Sequence, residues 1–204
     1  MTLFNDTDIF TQGTAGKVIY DLPDGELMLI DQFISKPEAD LYYDRLLKQT
    51  QWRHYEMELY NKKLVAPRMI AWYQDNETTT WPSELMKIRH QVENELQDSF
   101  NAVLLNLYRN GNDSVAWHSD KENNTGQNPN IASITFGETR VFKLRHKFNK
   151  ELPVIEIPLH HGSFLLLSGT TNTFWQHQVP KTAKQILPRI NLTFRQVYQD
   201  VEFL

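Results

Sequence analysis

The sequence predicts a mainly β fold with flanking helices (α+β): a double-stranded β-helix, or jelly roll, with two N-terminal helices buttressing one sheet. Three observations predict it. From Phe100 onward, short apolar alternations separated by turn residues recur at the spacing of an all-β barrel or sandwich. Ahead of them lie two segments with helix signals, one of them carrying an apolar stripe at helical steps to bury against a sheet. The 204 residues, 40% hydrophobic and 23% charged, suffice for one compact domain with a sizeable core, so no second domain is expected.

Taken in order, residues 1–25 read as a loosely ordered arm and Glu26-Leu27-Met28-Leu29-Ile30 as a short strand opening a single domain over 26–204. Ser35-Lys36-Pro37-Glu38 has the S-x-x-E capping-box pattern with proline in the first turn, which predicts a helix running to about Lys48. A second helix is expected after Ser83, where Leu85, Ile88, Val92 and Leu96 fall on one stripe. Strands are expected at 102–108, 114–118, 131–136, 139–146, 154–158, 163–168, 174–178 and 189–198. Asn110-Gly111 is a hairpin turn signal, and Gly137 and Gly162 punctuate further turns.

Composition narrows the chemistry. There is no cysteine, which excludes disulfides, thiolate zinc sites, iron–sulfur ligation and cysteine nucleophiles, so any metal must use histidine and carboxylate. The N-terminal residues lack a basic n-region, and apolar runs such as Phe164-Leu165-Leu166-Leu167 are too short to span a bilayer. A monomeric cytoplasmic protein with no membrane partner is the expectation. A net charge of -4 argues against broad, non-specific nucleic-acid binding. Locally, Arg140-Val141-Phe142-Lys143-Leu144-Arg145-His146-Lys147 alternates basic and apolar residues, as a strand with one cationic face does; a solvated edge that resists aggregation is the plain alternative.

His118-Ser119-Asp120 puts two metal-competent side chains at i and i+2, on one face of an extended segment. With His177 they make two imidazoles and one carboxylate, the facial set of non-heme Fe(II) oxygenases. An H-x-D alone is common, and a loop with a hydrogen-bonded histidine would also explain it. The C-terminal strand adds weight. In Arg189-Ile190-Asn191-Leu192-Thr193-Phe194-Arg195, polar and apolar residues alternate strictly, so the apolar face must be buried. Either the polar face meets water, or two arginines, an asparagine and a threonine line a cavity that needs an anion. Guanidinium forks match carboxylates, and a dicarboxylate that also chelates iron would satisfy both demands. Asn106 and Tyr108 share one face while Leu105 and Leu107 take the other, so they can donate into the same cavity or sit at a core edge.

Asn106-Leu107-Tyr108-Arg109, Trp117-His118-Ser119-Asp120, Ile131-Ala132-Ser133, Trp175-Gln176-His177 and Pro188-Arg189-Ile190-Asn191-Leu192-Thr193-Phe194-Arg195, in this order, resemble the motifs of a known family. It is the AlkB family of Fe(II)- and 2-oxoglutarate-dependent dioxygenases, most closely its nucleic-acid alkylation-repair branch. The resemblance covers roughly Pro67 to Tyr198, with a weaker match before it. It implies Fe(II) on His118, Asp120 and His177, with 2-oxoglutarate and O2 as cosubstrates. Arg189 would hold the distal carboxylate, Asn106, Tyr108 and Asn191 would complete the pocket, and Arg195 would lie near the chelating end. His161 is the rival ligand, but beside Gly162 it matches a structural His-Gly turn of the family, and His177 is preferred.

The implied reaction is oxidative demethylation of N-alkylated bases, 1-methyladenine and 3-methylcytosine, in DNA and as a further possibility RNA, releasing formaldehyde, succinate and CO2. A base inside a duplex cannot reach a buried oxidant, so the nucleic-acid partner must be single-stranded or flipped out. The region of about 53–82 would recognise the nucleotide and a jelly roll of about 100–200 would carry the chemistry. Trp72 and Tyr73 resemble the strand that lies over the base, Arg68 would sit near phosphates, and Tyr60 would stand where a relative carries a gap-filling finger. Glu122 matches an acidic position that accepts from an exocyclic amine, and Arg145 is a further substrate contact. One departure stands out. Gln74-Asp75-Asn76-Glu77-Thr78-Thr79-Thr80 leads directly to Trp81-Pro82, where the family has a longer base-gripping loop. That keeps two rivals open: an oxygenase of a modified RNA, protein or small molecule, and a non-catalytic jelly-roll binding module.

Overall fold

The structure, a computed structural model, describes residues 10, 13–59, 62–120 and 128–198. Eight strands make the larger sheet: β1 (Lys17–Leu22), β2 (Gly25–Ile30), β3 (Arg53–Leu59), β4 (Lys62–Gln74), β5 (Ala102–Tyr108), β7 (Ile131–Gly137), β10 (Phe164–Ser168) and β12 (Arg189–Arg195). Their order is β1-β2-β10-β7-β12-β5-β4-β3. The smaller sheet holds β6 (Val115–His118), β8 (Arg140–His146), β9 (Ile155–Leu159) and β11 (Trp175–Val179), in the order β6-β11-β8-β9. Every pairing is antiparallel.

Both faces of the larger sheet are covered, which explains why its central strands read as nearly continuous apolar runs. On one face α1 (Lys36–Gln49) and α2 (Ser83–Leu96) bury Tyr42, Leu46, Leu85, Ile88 and Val92 against Leu105, Leu107, Ile134, Phe136, Leu192 and Phe194. On the other, Leu27, Leu29, Ile131, Leu165 and Leu167 meet Leu144, Ile157, Leu159 and Trp175 of the smaller sheet. Where β12, β5 and β4 continue the sheet, that inner face instead presents Arg68, Asn106, Tyr108, Arg189, Asn191 and Thr193 to a cavity. Register locks the division. A one-residue slip of β12 would drive Arg189 and Asn191 into the helix-covered core and expel Ile190 and Leu192, each contributing on the order of 1.5–3 kcal/mol by burial.

The eight strands expected after Phe100 are β5 to β12, and the two expected helices are α1 and α2. Three details differ. The expected arm stops short, because Lys17–Leu22 forms β1, paired with β2 from Lys17↔Ile30 to Leu22↔Gly25. Only Leu22 of that strand is buried, so ladder hydrogen bonds hold it at the sheet edge and no apolar stripe announces it. The capping box is not closed onto the backbone: Ser35 is the N-cap of α1, but its Oγ donates to Glu38 Oε2 at 2.5 Å. Asn110-Gly111 turns the chain without making a hairpin, since it joins β5 of one sheet to β6 of the other. Neither residue has the positive φ of a two-residue hairpin turn. Gly111 is there for space, since a Cβ would sit 2.3 Å from the Thr182 carbonyl oxygen. No helix among the described residues is long and apolar enough to cross a membrane.

Candidate metal centre and anion pocket

His118 closes β6, His177 sits in the middle of β11, and the ladder pairs the two directly. Directly opposed residues share a face, and the ring centroids are 4.3 Å apart. Asp120, just past the end of β6, brings Oδ1 to 3.8 Å from His118 Nε2. One ligand atom from each of the three lies within 4.8 Å of the others. His118 Nδ1 is 2.9 Å from the Ala116 carbonyl oxygen, a contact that places the proton on Nδ1 and leaves the Nε2 lone pair free. His177 stacks on Phe142, and burial together with the neighbouring His118 pulls its pKa down to about 3. It is therefore neutral at pH 7, as metal ligation requires. Burial pushes Asp120 up, but Arg195, His177 and His118 outweigh it and hold the carboxyl below its ordinary range.

Arg189 defines the other half of the site. It is 1% exposed, and its Nη2 donates to Thr135 Oγ1 at 2.9 Å and Asn191 Oδ1 at 2.8 Å. Its Nε and Nη1 have no hydrogen-bond partner among the described residues. Burial lowers its pKa to about 10, which still leaves a full charge at neutral pH. Arg195 Nη2 bonds Asp120 Oδ2 at 2.7 Å, while its Nε is also unpartnered. Orphaned buried guanidinium donors are costly unless an anion completes them. The cavity between, about 70 Å³, holds several waters or one small organic anion. The residues thus fit both an ion on His118, Asp120 and His177 and a carboxylate on Arg189.

Asn106 and Tyr108 line the cavity as their shared face requires, and Asn191 and Thr193 lie beside them. The proposed recognition residues divide. Trp72 is paired with Leu104, a cavity residue, so it lies on the inner face of β4. Tyr73 does not share that face. Successive strand residues point to opposite sides, and Tyr73 packs into the helix-covered core with Trp81 at 6.3 Å between centroids. Arg68 is inside the cavity rather than turned outward, its Nε donating to Asn106 Oδ1 at 2.7 Å. Arg145 neighbours Leu144, whose side chain enters the inter-sheet core, so it projects from the outer face of the smaller sheet. There it lies over the Trp117 ring at 4.4 Å and bonds Gln176 Oε1. Tyr60 and Glu122 lie outside the described residues.

His161 is fully buried away from the cluster, accepting from Gly137 N at Nδ1 and placing Nε2 3.1 Å from Asp40 Oδ1. Burial lowers its pKa, and its contacts tie β7 to α1. Several site residues were not singled out from sequence. Ser133 and Thr135 bond Asn191 and Arg189, and the alternation Ile131-Ala132-Ser133-Ile134-Thr135 carried that signal. Asn172, in α3 (Thr171–Phe174), clamps the Asp120 backbone by accepting from its N–H at 2.9 Å and donating to its carbonyl at 3.0 Å. Nothing in the sequence links residues so far apart.

Residues 26–195 match the 2OG-Fe(II) oxygenase superfamily. The chain is 38% identical over 185 residues to the alpha-ketoglutarate-dependent dioxygenase alkB homolog 3 of Bos taurus, covering 82% of this chain and 65% of that protein. It therefore spans just under two thirds of that relative's length. To the DNA oxidative demethylase ALKBH2 of Homo sapiens it is 33% identical over 182 residues, covering 79% of this chain and 70% of that protein. The solved structure of OsALKBH1 superposes with a TM-score of 0.63 at 16% identity, over 87% of this chain and all of that one. That likeness concerns the fold alone and agrees with the expected jelly roll.

Proposed function

The chain belongs to the AlkB family within the 2OG-Fe(II) oxygenase superfamily, and on that premise we propose that it demethylates N-alkylated bases, 1-methyladenine and 3-methylcytosine, in DNA or RNA. One observation carries the reading: Arg189, buried with two donors unpartnered, beside a His-Asp-His cluster. That pairing asks for a dicarboxylate next to a metal. The likeness to the human DNA oxidative demethylase supports the substrate class.

Iron(II), which His118, Asp120 and His177 would hold, would supply the oxidation, with O2 and 2-oxoglutarate consumed and succinate and CO2 released as an N-methyl becomes N-hydroxymethyl. The remaining work falls to the protein. His118 keeps its proton on Nδ1, which leaves the Nε2 lone pair free to take an ion. Arg195 holds Asp120 ionised and fixed. Arg189 receives the far carboxylate, with Thr135 and Asn191 aiming its fork. Phe142, Leu104 and Val179 give the cavity an apolar wall. Trp72, on the cavity side of β4, offers a ring on which a base can stack. The hydroxymethyl adduct would then break its N–C bond: the hydroxyl proton leaves to solvent as the C=O bond of formaldehyde forms, and the bonding electron pair returns to the ring nitrogen.

The test is to incubate the protein with Fe(II), 2-oxoglutarate and a single-stranded oligonucleotide bearing 1-methyladenine, with His118→Ala as control. Loss of the methyl group with formaldehyde release is expected. A second reading, the same chemistry on another substrate, is favoured by the short segment after Gln74 and by Tyr73 facing the core. Succinate formation without base repair would select it. No turnover of 2-oxoglutarate with any substrate would overturn both.

A further inference from the structure

Arg140, the first residue of β8, is 4% exposed, and among the described residues its guanidinium forms no ion pair with a carboxylate. Its guanidinium instead donates to three backbone carbonyls: Asn110 at 3.4 Å, Asp113 at 3.0 Å and Pro180 at 2.6 Å. Asp113, whose backbone carbonyl it bonds, turns its carboxylate to Arg109 at 2.7 and 2.9 Å. The three carbonyls belong to two loops. One runs from Tyr108, the end of β5, to β6 with His118; the other leaves β11, which carries His177.

Arg140 also lies over the Tyr108 ring at 5.6 Å, and Arg189 lies over the same ring at 5.2 Å. Tyr108 is the ladder partner of Arg189 and lines the cavity. Two guanidiniums against one phenol ring is an arrangement that neutral packing would not need, because the like charges repel while each gains from the ring face. Its effect is to wall the ring in and to bring a second positive charge toward the anion pocket.

We propose that Arg140 is a positioning residue for the anion pocket, fixing the Tyr108 ring and the loops after β5 and β11 so that Arg189 meets a bound dicarboxylate. It acts through Tyr108 and the loop carbonyls without touching the ligand, and it rests on the dicarboxylate reading given above. Lysine replaces it only in part, since a point charge on a flexible stem cannot span three carbonyls as a planar fork does.

The experiment measures 2-oxoglutarate binding to manganese(II)-loaded protein by calorimetry, without nucleic acid. Arg140→Met should weaken binding by about tenfold or more and Arg140→Lys by about threefold, with manganese affinity within about twofold of the parent. In a Tyr108→Leu background the Arg140→Lys effect should shrink, because the two residues act as one unit. Parent-like 2-oxoglutarate affinity in a folded variant overturns the role, as does an undiminished effect beside Tyr108→Leu. A parallel loss of manganese and 2-oxoglutarate affinity marks a general structural part and overturns it too. If Arg140→Met does not fold, Arg140→Lys decides. Failure of the parent protein itself to bind 2-oxoglutarate would instead bring down the reading beneath the proposal.

Discussion

Arg195 Nη2 donates to Asp120 Oδ2 at 2.7 Å, so the strand that begins with the buried Arg189 ends on a carboxylate of the metal cluster. One strand therefore sets both halves of the site. Any ligand that pulls on the anion end acts on the same element that steadies Asp120, a strand paired on both sides from Arg189 to Phe194.

Removing that link should be visible as a shift in pH dependence. Burial pushes Asp120 up, and Arg195 is the largest charge opposing it. Arg195→Met should raise the Asp120 pKa, move manganese binding to higher pH and lower affinity at pH 7 by roughly 10–100-fold. Manganese titrations from pH 5 to about 8 check it. An unchanged profile would mean that Arg195 does not govern Asp120.

Arg189 should trade stability against binding. Its charge is buried with two unpartnered donors, so replacing it by an apolar side chain of similar length relieves desolvation. Arg189→Met should leave the ligand-free protein as stable as the parent or up to about 2 kcal/mol more stable, while abolishing the stabilisation that 2-oxoglutarate gives. Urea unfolding with and without 2-oxoglutarate reads both, and iron or manganese affinity should change far less than 2-oxoglutarate affinity. A large loss of ligand-free stability would show that Arg189 is structural first.

His177 should make the metal-free protein acid-sensitive. The unfolded chain takes up this proton near pH 6.5, whereas the folded protein resists until about pH 3. Between those values the unfolded state binds more protons, so stability falls as pH drops. His177→Asn should flatten the dependence by up to about 1.4 kcal/mol per pH unit in that window. Asp120, also held below its ordinary range, adds loss in the same direction only at about pH 4 and lower. Unfolding of chelator-treated protein at several pH values measures the slope, and equal slopes in parent and variant would contradict the burial of a neutral ring.

The sequence made β12 legible because a period of two leaves no choice: burying Ile190, Leu192 and Phe194 forces Arg189, Asn191 and Thr193 to the other side. The same rule separates two residues that the resemblance gives one role: Trp72 and Tyr73 are neighbours on β4, and neighbours on a strand cannot face one cavity. β1 stayed hidden because five of its six side chains are not buried, so its stability lies in backbone pairing that composition does not record. Asn172 stayed hidden because its bonds to Asp120 close a gap of 52 residues.

The divided faces of β4 give a paired expectation. Trp72→Ala should weaken binding of a single-stranded oligonucleotide by about 1–3 kcal/mol through lost stacking, with little change in stability. Tyr73→Ala should do the reverse, costing about 1–3 kcal/mol of stability through the core contact with Trp81 and leaving binding nearly intact. Fluorescence anisotropy with a labelled oligonucleotide and thermal unfolding separate them. Loss of binding in the Tyr73 variant alone would reverse the assignment of faces.

Asn172 should prove as important to the metal as a ligand's own neighbour. Its side chain is 3% exposed and holds both the N–H and the carbonyl of Asp120, so it sets where the carboxylate can swing. Asn172→Ala should lower manganese affinity by roughly 10–100-fold, because buried groups that orient a ligand weigh nearly as much as the ligand. It should also cost about 1 kcal/mol of stability, since two part-buried backbone groups lose their partners. Asn172→Asp distinguishes geometry from mere volume. The carboxylate can still accept from the Asp120 N–H, but it has no donor for the Asp120 carbonyl oxygen and faces it with negative charge. If Asn172 works as a two-point clamp, Asn172→Asp should bind manganese no better than Asn172→Ala; affinity restored to the parent's value would show that acceptance alone suffices.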